Sequence, residues 1–249
     1  DGLIDGCGVG GVFQSPSPEQ IYNIAKEVEA GAGVLFLYGN YTGDIMTFDM
    51  ATDMCDMDDI VCKSIVGADD VNSHKDPATR RGVAGIYFMF KAAGCKADEG
   101  GDLDAVLAAA QLAKDNTRTV GFALTPCIIP EVGHANFELG ENEMAMGMGI
   151  HGEPGVERTT MKTSEELAGI LTEKLTEDLS LTSGDEVAVL VNSLGATSKE
   201  ELYVLYADLY EKFQQKGIKI GRVYVGEYAT SLEMLGASVS VLKLNDEFK

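Results

Sequence analysis

The chain has 249 residues, 45% of them hydrophobic and 24% charged, enough for one large or two small globular domains with a real core. Forty acids stand against nineteen bases, a net charge of -21 spread along the chain, so nucleic acid and anionic lipid are repelled at long range. No run of about 18 apolar residues exists to cross a membrane as a helix.

The first patterned segment is Gly6-Cys7-Gly8-Val9-Gly10-Gly11, which satisfies Gly-x-Gly-x-x-Gly. A dinucleotide fingerprint needs a strand before it and a helix opening inside it. Phe13-Gln14-Ser15-Pro16 follows at once and no complete strand precedes, so nucleotide binding is not expected there. Ser17-Pro18-Glu19-Gln20 is a capping box with Pro at the first helical position, and Ile21, Ile24, Ala25 and Val28 follow at helical spacing. Val34 to Tyr38 is a continuous apolar run, as in a strand buried on both faces. After Gly39-Asn40-Tyr41-Thr42-Gly43-Asp44 the spacing predicts a helix over 47–57, a strand over 60–66, helices over 83–97 and 103–115, and a strand over 119–124. This alternation argues for a parallel sheet with helices on both faces.

From about Thr125 the texture changes. Pro126, Pro130 and the Gly/Met stretch 144–149 lead into Ile150-His151-Gly152-Glu153-Pro154-Gly155. Thr163 and Glu166 form a second capping box. Val187, Val189 and Val191 alternate as a strand, 198–215 reads as a helix closed by Gly217, and strands over 218–225 and 237–244 finish the chain. The fold class expected is α/β with two lobes. The first, 1–120, is a parallel sheet with helices on both faces; the second, 121–249, is a mixed sheet with helices.

Two residues stand out chemically. Asp44 lies just past the C-terminal end of a buried strand, where ligands bind in open α/β sheets and where a carboxylate can act as general base. Asn40 and Asp44 also fit an ordinary turn. His151 sits among Gly149, Gly152, Pro154 and Gly155, on backbone expected to be exposed and tightly turned rather than packed. A neutral imidazole nitrogen there can add to a ketone carbonyl, although a solvated loop histidine has the same surroundings. His74 and His134 have no comparable setting, and three histidines without metal-ligand spacing leave no metal site expected. Five cysteines (Cys7, Cys55, Cys62, Cys95, Cys127) without Cys-x-x-Cys spacing fit a reducing cytoplasm. The sequence opens at Asp1 without a secretory signal pattern, and residues preceding it are expected.

Seven segments, in order along nearly the whole chain, resemble the substrate-binding subunits of dihydroxyacetone kinases. They are Phe13–Pro18, Asn40–Asp44, Arg80–Gly85, Ala123–Cys127, Gly149–Gly155, Asn192–Thr197 and Thr230–Met234. The resemblance implies that His151 forms a hemiaminal with the ketone carbonyl, that Asp44 takes the proton from the hydroxyl to be phosphorylated, and that Ser15 lines the same pocket with Gly39 and Asn40. It also implies no cofactor on this chain itself. ATP or ADP with Mg would sit on a nucleotide-binding partner subunit or domain, in keeping with the missing Gly-x-x-x-x-Gly-Lys-Ser/Thr cradle. The expected partners are dihydroxyacetone or a similar short ketose, that kinase subunit, and a second copy in a homodimer.

Two departures matter. Gly39 replaces the family's usual lysine before Asn-Tyr-x-Gly-Asp, which opens space for a four-carbon ketose such as erythrulose. The family's Gly-Gly-Gly-Ser-Gly-His-Glu-Pro segment would lie before Asp1. Two further readings stay open: a non-catalytic ketose-binding regulatory paralogue, and an α/β oxidoreductase using the first Gly-rich loop.

Overall fold

The computed structural model describes residues 2–153 and 155–248, and these form two compact units. The first comprises 1–68 and 86–115, the second 69–85 and 116–249. The sequence pattern alone places 69–85 and 116–120 in the first lobe; the chain contacts place them in the second.

The first unit holds α1 (Pro18–Val28), β1 (Val34–Gly39), α2 (Thr42–Met57), β2 (Cys62–Gly67), α3 (Ile86–Asp98) and α4 (Leu103–Asp115). The capping box opening α1 is formed: Ser17 Oγ accepts from Gln20 N–H, and the Gln20 side chain accepts from Ser17 N–H. β1 and β2 pair in parallel from Val34↔Cys62 to Gly39↔Gly67. Alternation sorts their side chains to two faces. Phe36 and Tyr38 pack with Ile21, Ala25, Ala51 and Cys55 of α1 and α2. Leu35, Leu37 and Ile65 pack with Ala93, Val106 and Ala110 of α3 and α4. Helices therefore cover both faces of a parallel pair, as expected. The strand expected at 119–124, however, belongs to the other sheet.

The second unit holds β3 (Thr117–Ala123), β4 (Glu143–Met146), β5 (Glu157–Thr160), α5 (Ser164–Asp178), β6 (Glu186–Ser193), α6 (Lys199–Gln215), β7 (Lys219–Gly226) and β8 (Gly236–Lys243). Its sheet runs in the order β5-β4-β3-β8-β6-β7. Among the described strands of this sheet only the β6–β7 pair is parallel; β3 runs antiparallel to β8 from Thr117↔Leu242 to Ala123↔Gly236. Val187, Val189, Val191, Val239 and Val241 on one face pack with Leu171 and Leu175 of α5 and Leu209 and Phe213 of α6. The capping box at Thr163 and Glu166 opens α5, as its sequence indicated.

The opposite face of the sheet carries buried hydroxyls, and these explain why 69–85 belongs here. Thr119 Oγ1 lies 2.5 Å from Asp69 Oδ2 and 2.7 Å from Ser240 Oγ. Asp69 also accepts from the backbone N–H groups of Val83 (2.9 Å) and Gly85 (2.8 Å). Burial pushes its carboxyl up, against the opposing pull of these donors. Gly85 has to be glycine, since a Cβ there would lie 2.4 Å from Asp69 Oδ2.

Asp69→Ala should therefore leave Val83 N–H, Gly85 N–H and the Thr119 hydroxyl short of an acceptor, with a stability loss of about 3 kcal/mol or more. Urea denaturation checks this; a loss below about 1 kcal/mol would show that Asp69 does not anchor the segment.

Candidate functional site

In the first unit the structure brings Ser15, Gly39, Asn40 and Asp44 to the C-terminal end of β1. Asn40 N–H donates to Gly67 O at 2.9 Å, carrying the β1–β2 ladder one step past the strand. Tyr41 then takes an extended conformation as N-cap of α2, without a side-chain cap bond. The helix begins at Thr42, five residues before the expected start at 47, so Asp44 sits in its first turn. A carboxylate is favoured there by the unsatisfied N–H groups and the helix dipole. Gly43 lets Ser15 lie against this turn: a Cβ at 43 would come 2.8 Å from Ser15 Oγ.

Ser15 is delivered by a sharp turn of the glycine-rich segment. No strand lies among residues 2–16. Instead the chain turns sharply, with Gln14 N–H donating to Gly11 O and Phe13 held at φ 55°. A Cβ on Gly10 would collide with Gln14 O at 2.2 Å. The geometry is that of a turn, not of a strand–loop–helix phosphate cradle.

In the second unit, His151 lies between β4 and β5, about one third exposed, whereas His74 and His134 are exposed. The expectation of an exposed loop backbone is overturned: Gly147, Gly149 and Gly152 are all buried. The glycines serve close approach rather than solvent contact. Gly147 N–H donates to Gly121 O at 2.7 Å, and Gly152 O accepts from the Asn136 side chain. Gly147 and Gly152 have φ of 76° and 72°, a region that favours glycine. Pro154 lies outside the described residues.

Glu153 of the second unit lies against His151, with Arg81 and then Asp70 behind it. Glu153 Oε2 accepts from His151 N–H at 3.1 Å, and Glu153 Oε1 lies 3.5 Å from His151 Nδ1. Arg81 Nη1 stands 4.0 Å from Glu153 Oε2. Arg81 also donates from Nε (3.0 Å) and Nη2 (2.8 Å) to Asp70 Oδ2, and from Nη2 to Gly147 O at 2.9 Å. Burial alone would raise Glu153, but its contacts with His151, a backbone N–H and Arg81 hold it below the usual carboxylate range. Asp70 goes the other way: burial pushes it up to about 6, opposed by Arg81 and reinforced by Asp69. Sequence reasoning gave Asp70 no role, and it quoted Arg81 and Glu153 only as parts of matching segments. Among the described residues no three His, Cys, Asp or Glu side chains converge as a metal site, and no helix is long and apolar enough to cross a membrane.

A model of the Dak1 domain matches residues 1–249. The dihydroxyacetone-binding subunit DhaK of PTS-dependent dihydroxyacetone kinase 1 from Listeria innocua is 44% identical over 248 residues, covering 99% of this chain and 75% of that protein. A D-erythrulose kinase from Mycolicibacterium smegmatis is 38% identical, over 100% of this chain and 43% of that protein. Among solved structures, the dihydroxyacetone kinase operon co-activator Dha-DhaQ superposes with a TM-score of 0.88 at 30% identity, covering 94% of this chain and 73% of that one.

The raised Asp70 has a pH signature. The folded protein holds this proton up to about pH 6, and the unfolded chain releases it near 4. Stability from this group is thus complete below about pH 4 and is lost as pH rises toward 6. Asp70→Asn should flatten that part of the stability profile in urea midpoints taken across the window. Parallel profiles for the two proteins would count against the shift.

Proposed function

The chain belongs to the Dak1 domain family, and from that footing we propose that it is the ketose-binding subunit of a dihydroxyacetone-type kinase, a phosphotransferase with an alcohol acceptor. His151 holds the ketose as a covalent hemiaminal, and Asp44 takes the proton from the hydroxyl that receives the phosphate. The observation that carries the reading is the family match across residues 1–249, with His151 seated in a buried glycine loop beside a carboxylate.

The chemistry follows from the residues. A ring nitrogen adds to the carbonyl carbon, the C=O π pair moves to oxygen, and that oxygen takes a proton. The bond is reversible, and it selects short carbonyl compounds over glycerol, which has no carbonyl to add to. Tethering fixes the hydroxyl for attack and so replaces a loose encounter with an oriented one. Asp44, in the first turn of α2, is the proposed acceptor of that hydroxyl's proton. Phosphoryl transfer then depends on positioning and charge stabilisation. By the family resemblance the nucleotide with Mg belongs to a partner subunit or domain, in keeping with the missing Walker-type cradle in this sequence. Ser15 contributes to the ketose pocket, and the subunit acts as a homodimer in the cytoplasm.

One observation favours a four-carbon ketose such as erythrulose as a second substrate. Gly39, buried at the end of β1, places no side chain where the family's usual lysine would stand. Steady-state comparison of dihydroxyacetone and erythrulose with wild type and Gly39→Lys tests this. Equal preference in both proteins removes Gly39 as the determinant.

Intact-protein mass spectrometry with dihydroxyacetone should show a reversible adduct of the whole ketose mass, absent in His151→Ala. An unchanged adduct in that variant would move the tether elsewhere. Asp44→Asn should keep the adduct and lose turnover by about 10²-fold or more in a coupled assay with the nucleotide-bearing partner. Retained turnover would leave Asp44 as a turn residue. An adduct without any phosphorylated product from the wild-type chain and partner favours a regulatory paralogue over a kinase.

A further inference from the structure

We infer that Glu153 is a positioning residue that locks His151 in the tautomer with its proton on Nδ1, and that Arg81 holds Glu153 in place for this purpose. The inference rests on His151 being the tethering residue. It names what holds the ring in one orientation before the ketose arrives.

One carboxylate grips one histidine at two points. Oε2 takes the backbone N–H of His151, and Oε1 faces Nδ1 at 3.5 Å. An ionised carboxylate can only accept, so its charge 3.5 Å away favours the tautomer that carries the proton on the ring nitrogen it faces. In the neutral ring the lone pair then resides on Nε2, the nitrogen turned away from Glu153. The opposite tautomer would set a lone pair on Nδ1 against the carboxylate oxygen. Such pairing through the far nitrogen is the usual means of fixing an imidazole's tautomer and orientation.

The support behind Glu153 is built from distant parts of the second unit. Arg81 approaches the same Oε2 and is itself fixed by Asp70 and by Gly147 O. The Asp70 side chain is 2% exposed. Asp70 N–H donates to Arg81 O, and Arg81 N–H to Ser73 Oγ, so backbone and side chain of Arg81 are both held. Gly149 leaves the room: a Cβ there would lie 2.0 Å from Glu153 Oε2 and 2.8 Å from Arg81 Nη1. A loop histidine with no task would not require this arrangement.

The consequence for the adduct can be written atom by atom. Nε2 donates its pair to the carbonyl carbon, the C=O π bond opens, and its electrons go to oxygen, which takes a proton from water and leaves hydroxide to the solvent. The ring, still protonated at Nδ1, now carries positive charge facing Glu153. The carboxylate thus stabilises the hemiaminal more than the free ketone, and shifts the equilibrium toward the tethered form.

Nitrogen-15 NMR of the full chain, labelled at histidine, reads the tautomer without any ketose. Subtraction of the His151→Ala spectrum identifies the ring. Wild type should show a pyrrole-type Nδ1 and a pyridine-type Nε2. Glu153→Gln should give a mixture of tautomers and weaken the ketose adduct by about 10- to 100-fold, the range for loss of an orienting partner. Gly149→Ala, which keeps the carboxylate but displaces it, should change both readouts in the same direction, and circular dichroism confirms that each variant is folded. A wild-type proton on Nε2, or a Glu153→Gln spectrum identical to wild type, overturns the inference. If the tautomer behaves as stated but no adduct forms, the tethering reading fails and the lock stands. If the adduct forms with the proton on Nε2, the lock fails alone.

Discussion

Asp69 lies fully out of water, and a carboxyl so placed has to be met by donors. Two of its donors are backbone N–H groups at the far end of the 69–85 excursion, and the third is a hydroxyl on β3. That requirement folds the excursion back onto the sheet of the second unit. It also sets Arg81, two residues before Val83, where it can reach Asp70, Gly147 O and Glu153. The residues nearest His151 thus depend on a hydrogen-bond demand created about eighty positions earlier in sequence.

Charge makes this arrangement selective. In a chain with twice as many acids as bases, Arg80 and Arg118 both converge on Asp178, with Arg80 bidentate at 2.8 and 2.7 Å. Arg81 is committed to Asp70 and Glu153. These cations are spent on fixing the 69–85 segment and the histidine loop, which leaves the neighbourhood of His151 without a surplus basic patch from them. On the proposed reading, a small neutral ketose suits such surroundings better than an anion.

Local signals in the sequence carried well into the structure, and non-local ones did not. Both capping boxes, at Ser17 and Thr163, need only four consecutive residues, and both are formed. The run Val34–Tyr38 is a strand covered on both faces because its apolar residues say so by themselves. By contrast, β4 and β5 are four residues each, too short to show a period, and β4 lies within a stretch that reads as Gly/Met loop. Membership of β3 in the second sheet is decided by pairing with β8, more than a hundred residues away. The early start of α2 was hidden because Tyr41 offers no capping side chain. Asp44 and His151 could be singled out by residue type, although the backbone around His151 is buried where the sequence suggested exposure, and their roles rest on the family resemblance. The Arg81–Asp70 support could not be, since no spacing rule links positions 70, 81 and 153.

Size explains why a covalent tether and a rigid loop belong together on the proposed reading. A three-carbon ketose has about six non-hydrogen atoms, and even the most efficient small ligands gain at most about 1.5 kcal/mol per atom. Half of those atoms are polar oxygens that water solvates equally well, so non-covalent contacts alone give weak hold and poor discrimination from glycerol. A reversible bond to carbon supplies both, but only if the nucleophile is presented in one orientation; a mobile imidazole would surrender the gain as entropy of ordering. The buried glycines of 147–152 and the two-point grip of Glu153 remove that freedom before the ligand arrives. Packing of backbone against backbone, allowed by the missing Cβ atoms, is therefore part of the chemistry and not only of the fold.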